Sequence, residues 1–65
     1  MSSLDYYRIL GVSPGSTLKE VRRRYRTLAM QYHPDRNPDN PEAGAHFRQV
    51  VEAFQAIESA RARKR

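Results

Sequence analysis

Prolines at 34, 38 and 41 interrupt an otherwise helical chain, and that interruption decides what the rest can become. Proline has no amide hydrogen and its ring clashes with the preceding helical turn, while the residue before it is pushed toward extended backbone. Neither flanking helix is therefore expected to run through residues 33–39. On both sides apolar side chains recur with the 3.6-residue period of a helix, so the stretch is read as the exposed connection between two amphipathic helices that pack against each other. A polar connection braced by prolines and carried on two helices is a natural place for function.

Ahead of that connection the chain offers two helices. Leu4, Tyr6, Tyr7, Ile9 and Leu10 make residues 4–10 a short apolar helix, with Ser3 as its cap, Asp5 in its first turn and Gly11 as the residue that ends it. Val12-Ser13-Pro14-Gly15 is then a turn. Thr17 and Glu20 have the spacing of a capping box, which starts a second helix over 18–32. At 100° per residue, Leu18, Val21, Tyr25, Leu28, Ala29 and Tyr32 share a stripe about 100° wide that faces a core.

Lys19, Arg22, Arg23 and Arg26 fill the adjoining arc with Met30 among them, and Arg24 lies on the other flank. Glu20 is the single acidic residue in the helix, so pairing along the helix does not account for the charge. A solvated face that aids solubility and a docking face for an acidic partner both fit. The single sign of the charge, next to an adaptable apolar Met30, favours docking.

Beyond the connection, Asn40 is placed to cap, Pro41 to occupy the first helical position and Glu42 to complement the helix dipole. Ala43, Phe47, Val50, Phe54 and Ile57 form the stripe of a third helix, broadened by Val51 and Ala53, with Gly44 weakening its first turn. The next stripe position holds Arg61, so packing is expected to end near Ile57 or Glu58 and residues 59–65 to form a helical overhang or a frayed basic tail. The expected architecture is all-α: helices 18–32 and 41–58 form an antiparallel hairpin with the short first helix on one side. Its core is expected from Tyr7, Ile9, Leu10, Val21, Tyr25, Leu28, Ala29, Phe47, Val50, Phe54 and Ile57.

A chain of 65 residues makes one small domain, which buries only about 60% of its unfolded surface and has no room for a deep substrate cleft. It has no cysteine, so helix packing alone must hold it. Its apolar runs are too short for a membrane span or a signal peptide, and a cytoplasmic monomer is the default expectation. A net charge of +5 and a pI near 10.2 ask for an acidic partner.

His33-Pro34-Asp35 carries the most specific signal. A histidine at a helix C-terminus also has a plain structural role, satisfying the last carbonyls, and proline commonly stops a helix. As a metal site, His33, Asp35 and His46 lack the further strong ligand that zinc requires, so neither metal nor cofactor is expected. Nor is an enzyme, since His33 and Asp35 have no nucleophile near them in sequence.

The tripeptide directly after an amphipathic helix resembles the signature of the J domain, the co-chaperone module of DnaJ-type proteins. Asp5 to Val12 resembles that family's opening helix, and Glu20-Val21 through Tyr25 to Tyr32 its second. Arg36-Asn37-Pro38 and Phe47 through Phe54 continue the likeness, which covers residues 4–57. It implies a protein that binds an ATP-hydrolysing chaperone of the DnaK class and speeds its hydrolysis, coupling it to client binding. In that reading Arg22, Arg26 and Arg36 supply charge, and Tyr25, Met30 and Phe47 apolar contact. His33, Pro34 and Asp35 supply the signal, with Asn37 beside them.

The likeness has gaps. Where the family has a Ser-Asp-Pro-like break and a fourth helix, this chain has Glu58-Ser59-Ala60-Arg61, so a fourth helix is expected to be absent or merged into the tail. Thr27 and Gly44 replace residues that are frequently charged. The chain ends without a client-binding region, as expected of a domain excised from a longer protein. The alternative is a small basic helical module that binds nucleic acid, lying along phosphates through Lys19 to Arg26. Its polar face has only Gln31 for reading bases, and the connection is too long for a helix-turn-helix.

Overall fold

The computed structural model describes residues 3–63 and is all-helical among them. Helix α1 spans Ser3–Leu10, α2 Leu18–Tyr32 and α3 Pro41–Arg63. The side chain of Ser3, expected to cap α1, and residues 64 and 65 of the expected tail lie outside the described part.

Helix α1 ends where glycine permits it to. Gly11 takes φ 71°, and its amide donates to Arg8 O at 3.0 Å while the Val12 amide donates to Tyr7 O at 3.1 Å. Those two bonds are the Schellman closure of a helix C-terminus. The last carbonyl of the helix, Leu10 O, accepts from Nε of Arg24 at 2.9 Å, so the basic residue on the far flank of α2 caps α1 across the fold. A Cβ at Gly11 would sit 3.3 Å from the Arg24 guanidinium as well as in left-handed backbone. In α3, by contrast, a Cβ at Gly44 would meet nothing within 4 Å. The two glycines should respond oppositely in thermal melts. Gly11→Ala is expected to cost about 1–2 kcal/mol, and Gly44→Ala to add about 0.5–1 kcal/mol by favouring the helix.

At the start of α2 the capping box is complete. Thr17 Oγ1 accepts from the Glu20 amide at 3.2 Å, and Glu20 Oε1 accepts from the Thr17 amide at 3.1 Å. The backbone bond from Thr17, followed by its hydroxyl, holds the Glu20 carboxyl below its ordinary 4.5, with Arg23 adding to the effect. A carboxyl lowered by folding stabilises the fold fully above its unfolded value, and that contribution fades as pH falls through the lowered one. A carboxyl-detected NMR titration should therefore place Glu20 below 4.5. Thr17→Ala should move it back up.

Side-chain partners across the hairpin set its direction. Arg22 meets Glu58, Tyr25 stacks on Phe54 and Tyr32 stacks on His46, so residue numbers fall along α3 as they rise along α2. The helices are antiparallel, and α1 packs mainly on α3. Leu10, Val21, Leu28, Val50, Ala53 and Ile57 form the buried centre, with Tyr6, Tyr7, Ile9, Val12, Leu18, Tyr25, Tyr32 and Phe54 packed around it. Ala53 is fully buried although the stripe gave it a marginal place, because a small side chain there lets the helices approach.

The third helix does not stop at Glu58. It continues to Arg63 because the polar residues on its inner face find partners: Glu58 on Arg22, and Arg61 on the Tyr7 hydroxyl, which accepts from Nε at 3.3 Å and from a terminal guanidinium nitrogen at 3.2 Å. Arg61 thus takes the place of the missing apolar residue, its guanidinium bonded to the Tyr7 phenol and 5.7 Å from the centre of that ring. No separate fourth helix occurs among the described residues. The first turn of α3, weakened by Gly44, begins at an Asn40 cap whose Oδ1 accepts from the Glu42 amide at 3.0 Å, and Ala43 is buried beneath it.

Candidate functional site

The connection between α2 and α3 is a braced turn. His33 has φ −58° and ψ 134°, the extended backbone that a following proline imposes, and this ends α2 abruptly. His33 O then accepts from the amides of Arg36 at 3.0 Å and Asn37 at 3.2 Å, and from Asn37 Nδ2 at 3.1 Å. The same Nδ2 reaches Gln31 O at 2.9 Å, so Asn37 satisfies carbonyls that the end of α2 would leave open. Its amide nitrogen is thereby occupied within the fold.

His33 is held from two sides. Its ring meets Phe47 edge-on, centroids 5.1 Å apart, a geometry aromatic rings favour. Its Nδ1 accepts from the Asp35 amide at 3.1 Å. The Asp35 carboxylate lies 3.8 Å from the same Nδ1, beyond hydrogen-bonding reach. The Asp35 side chain is 93% exposed and makes no hydrogen bond among the described residues.

Two hollows meet beside the turn. One is an apolar groove of about 330 Å³ lined by Tyr25, Ala29, Met30, His33, Arg36 and Phe47. The other, of about 670 Å³, lies along α2 between Lys19, Arg22, Arg23, Arg26, Thr27 and Met30. Met30, 59% exposed, borders both, so charge and apolar contact form one continuous surface. Pro34 sits on the far side of Phe47, lining a separate hollow with Pro41 and Arg48.

The candidate residues thus divide. His33, Arg36, Tyr25, Met30 and Phe47 share the groove, Arg22 and Arg26 flank it on the basic face, and Asp35 projects from the tip. Phe47 and Ala29, expected in the core, instead wall the groove. The position of Phe47 at the loop end of its stripe, opposite His33 rather than an aliphatic, was the available signal. Glu58 was not foreseen as a partner of Arg22. The observed pairs centre on residues 39 and 40, beyond the middle of the connection, so a register drawn from the middle of the loop would have missed this pair.

No helix among the described residues is long and apolar enough to cross a membrane, and no three of their His, Asp or Glu side chains converge as a metal site would require. The family model described as "DnaJ domain" matches residues 5–65. A protein named "Chaperone protein DnaJ" from Nitratidesulfovibrio vulgaris is 51% identical over the whole chain, and one of the same name from Chlorobium phaeobacteroides is 51% identical over 94% of it. Another from Oleidesulfovibrio alaskensis is 51% identical over all 65 residues. The chain spans only 17%, 15% and 17% of the length of these three relatives. The match is therefore to one domain of them. With a family match across nearly all its residues and three helices arranged as that resemblance required, the chain belongs to the DnaJ domain family.

Proposed function

We propose that this chain is a co-chaperone module that docks on a cytoplasmic chaperone of the DnaK class and stimulates its ATP hydrolysis. The carrying observation is the turn at 33–37, shaped by its own hydrogen bonds while the Asp35 carboxylate, 93% exposed, takes no hydrogen bond in it. A rigid tip loses little freedom on binding, so the carboxylate can be offered to a partner arginine at low cost in order. The arginines of α2, with Lys19, draw in an acidic surface and make association faster at low salt. Tyr25, Met30 and Phe47 offer the apolar part of the contact, with Arg36 at its edge. The relatives named as chaperone proteins support the same reading.

Single-turnover hydrolysis by a DnaK-class chaperone, with and without this chain, tests it. Stimulation that declines with added salt is expected. The cationic hollow on α2 also suits a phosphate backbone. Salt-dependent binding to duplex DNA with no effect on hydrolysis would replace this reading with the nucleic-acid one.

A further inference from the structure

We propose that Glu58 acts as an internal competitor for Arg22 and so sets how tightly the basic face docks. The inference rests on the docking function proposed above and adds a residue that reading does not use. A terminal guanidinium nitrogen of Arg22 lies 3.5 Å from Glu58 Oε2, and both side chains are about half exposed, at 55% and 44%. The contact is single, long and wet. Pairs of this kind are easily exchanged for another carboxylate. An acidic partner approaching α2 must displace Glu58 before it can use Arg22 fully.

Other cations do not relieve the competition. Arg61, one turn further along α3, places both of its contacting nitrogens on the Tyr7 hydroxyl. Arg24 is committed to Leu10 O. Glu58 is therefore held opposite Arg22 by the hairpin register, on an α3 that continues as a helix past Ile57. The pair tunes the interaction without blocking it, since Lys19, Arg23 and Arg26 line the hollow with Arg22.

The test is the affinity of the chain for a DnaK-class chaperone in ATP, measured at low and at physiological salt. Glu58→Gln is compared with Glu52→Gln, which removes the same charge from an exposed position on α3 that makes no ion pair among the described residues. Glu58→Gln is expected to tighten binding roughly two- to fourfold, the scale of an exposed pair, and Glu52→Gln clearly less. In an Arg22→Gln background the gain from Glu58→Gln should shrink to that of Glu52→Gln.

Equal gains from the two glutamates, or a gain undiminished without Arg22, would mean that only overall charge matters and would overturn the proposal. Weaker binding by Glu58→Gln would overturn it from the other side, making Glu58 a support that positions Arg22. If Arg22→Gln and Asp35→Asn both leave affinity unchanged, the docking function itself fails, and the competitor role with it. Helical circular dichroism confirms that each variant remains folded.

Discussion

Asp35→Asn is expected to reduce stimulation of a DnaK-class chaperone by about thirtyfold or more, the cost of leaving a partner's buried cation without its carboxylate. The same change should leave the melting temperature nearly untouched. The reason lies in how the turn is built. Asp35 contributes its backbone amide to His33 Nδ1, which Asn supplies equally well, and its carboxylate makes no hydrogen bond within the fold. Function and stability are therefore separable at this position.

His33→Gln should also lose stimulation, by a different route. Glutamine removes the ring that leans on Phe47 and the Nδ1 that receives the Asp35 amide, so the carboxylate would no longer be held in place. Single-turnover hydrolysis and thermal melts of both variants supply the check. Full stimulation by Asp35→Asn would take the exposed carboxylate out of the mechanism. A large drop in its melting temperature would show that the turn leans on the carboxylate after all.

Leu10→Ala is expected to have the largest effect on stability, about 2–5 kcal/mol. Leu10 is fully buried, at the C-terminal end of α1 where Arg24 of α2 caps its carbonyl and α3 packs across. A chain of 65 residues has only about 3–10 kcal/mol in total at the usual stability per residue. The cavity therefore removes a large share of it. At roughly 4–8 °C per kcal/mol for a domain of this size, the midpoint should fall by at least about 8 °C. A fall of only a few degrees in a calorimetric or circular-dichroism melt would mean that α1 is dispensable to the cooperative unit.

Much of this arrangement was legible before any coordinates. The capping box at Thr17, Gly11 as the helix terminator, and the Asn40-Pro41 start of α3 depend on residues within a few positions of each other, and each forms as its spacing requires. The apolar stripes likewise named most of the core, since Leu10, Val21, Leu28, Val50 and Ile57 are buried. Residues whose surroundings come from another helix were harder to read. Phe47 looked like core by periodicity, yet lies where the hairpin opens around the turn, so one side of its ring stays on a groove. Arg61 looked like the end of packing, but a tyrosine hydroxyl 54 positions away gives it a partner.

Local spacing and periodicity in the chain alone were enough for the helices, the proline-broken turn and the cationic face of α2, while the family was suggested by the likeness of the motifs around His33-Pro34-Asp35 to the J domain. Tertiary structure alone decided that α3 continues past Glu58, that Arg24 caps α1, that Asn37 braces the turn and that Arg22 is shared with Glu58. The physical reason is range. Caps, turns and stripes are settled by neighbours within about a helical turn. The free energy of a long polar side chain depends instead on which distant group the packing brings within a few ångströms of it.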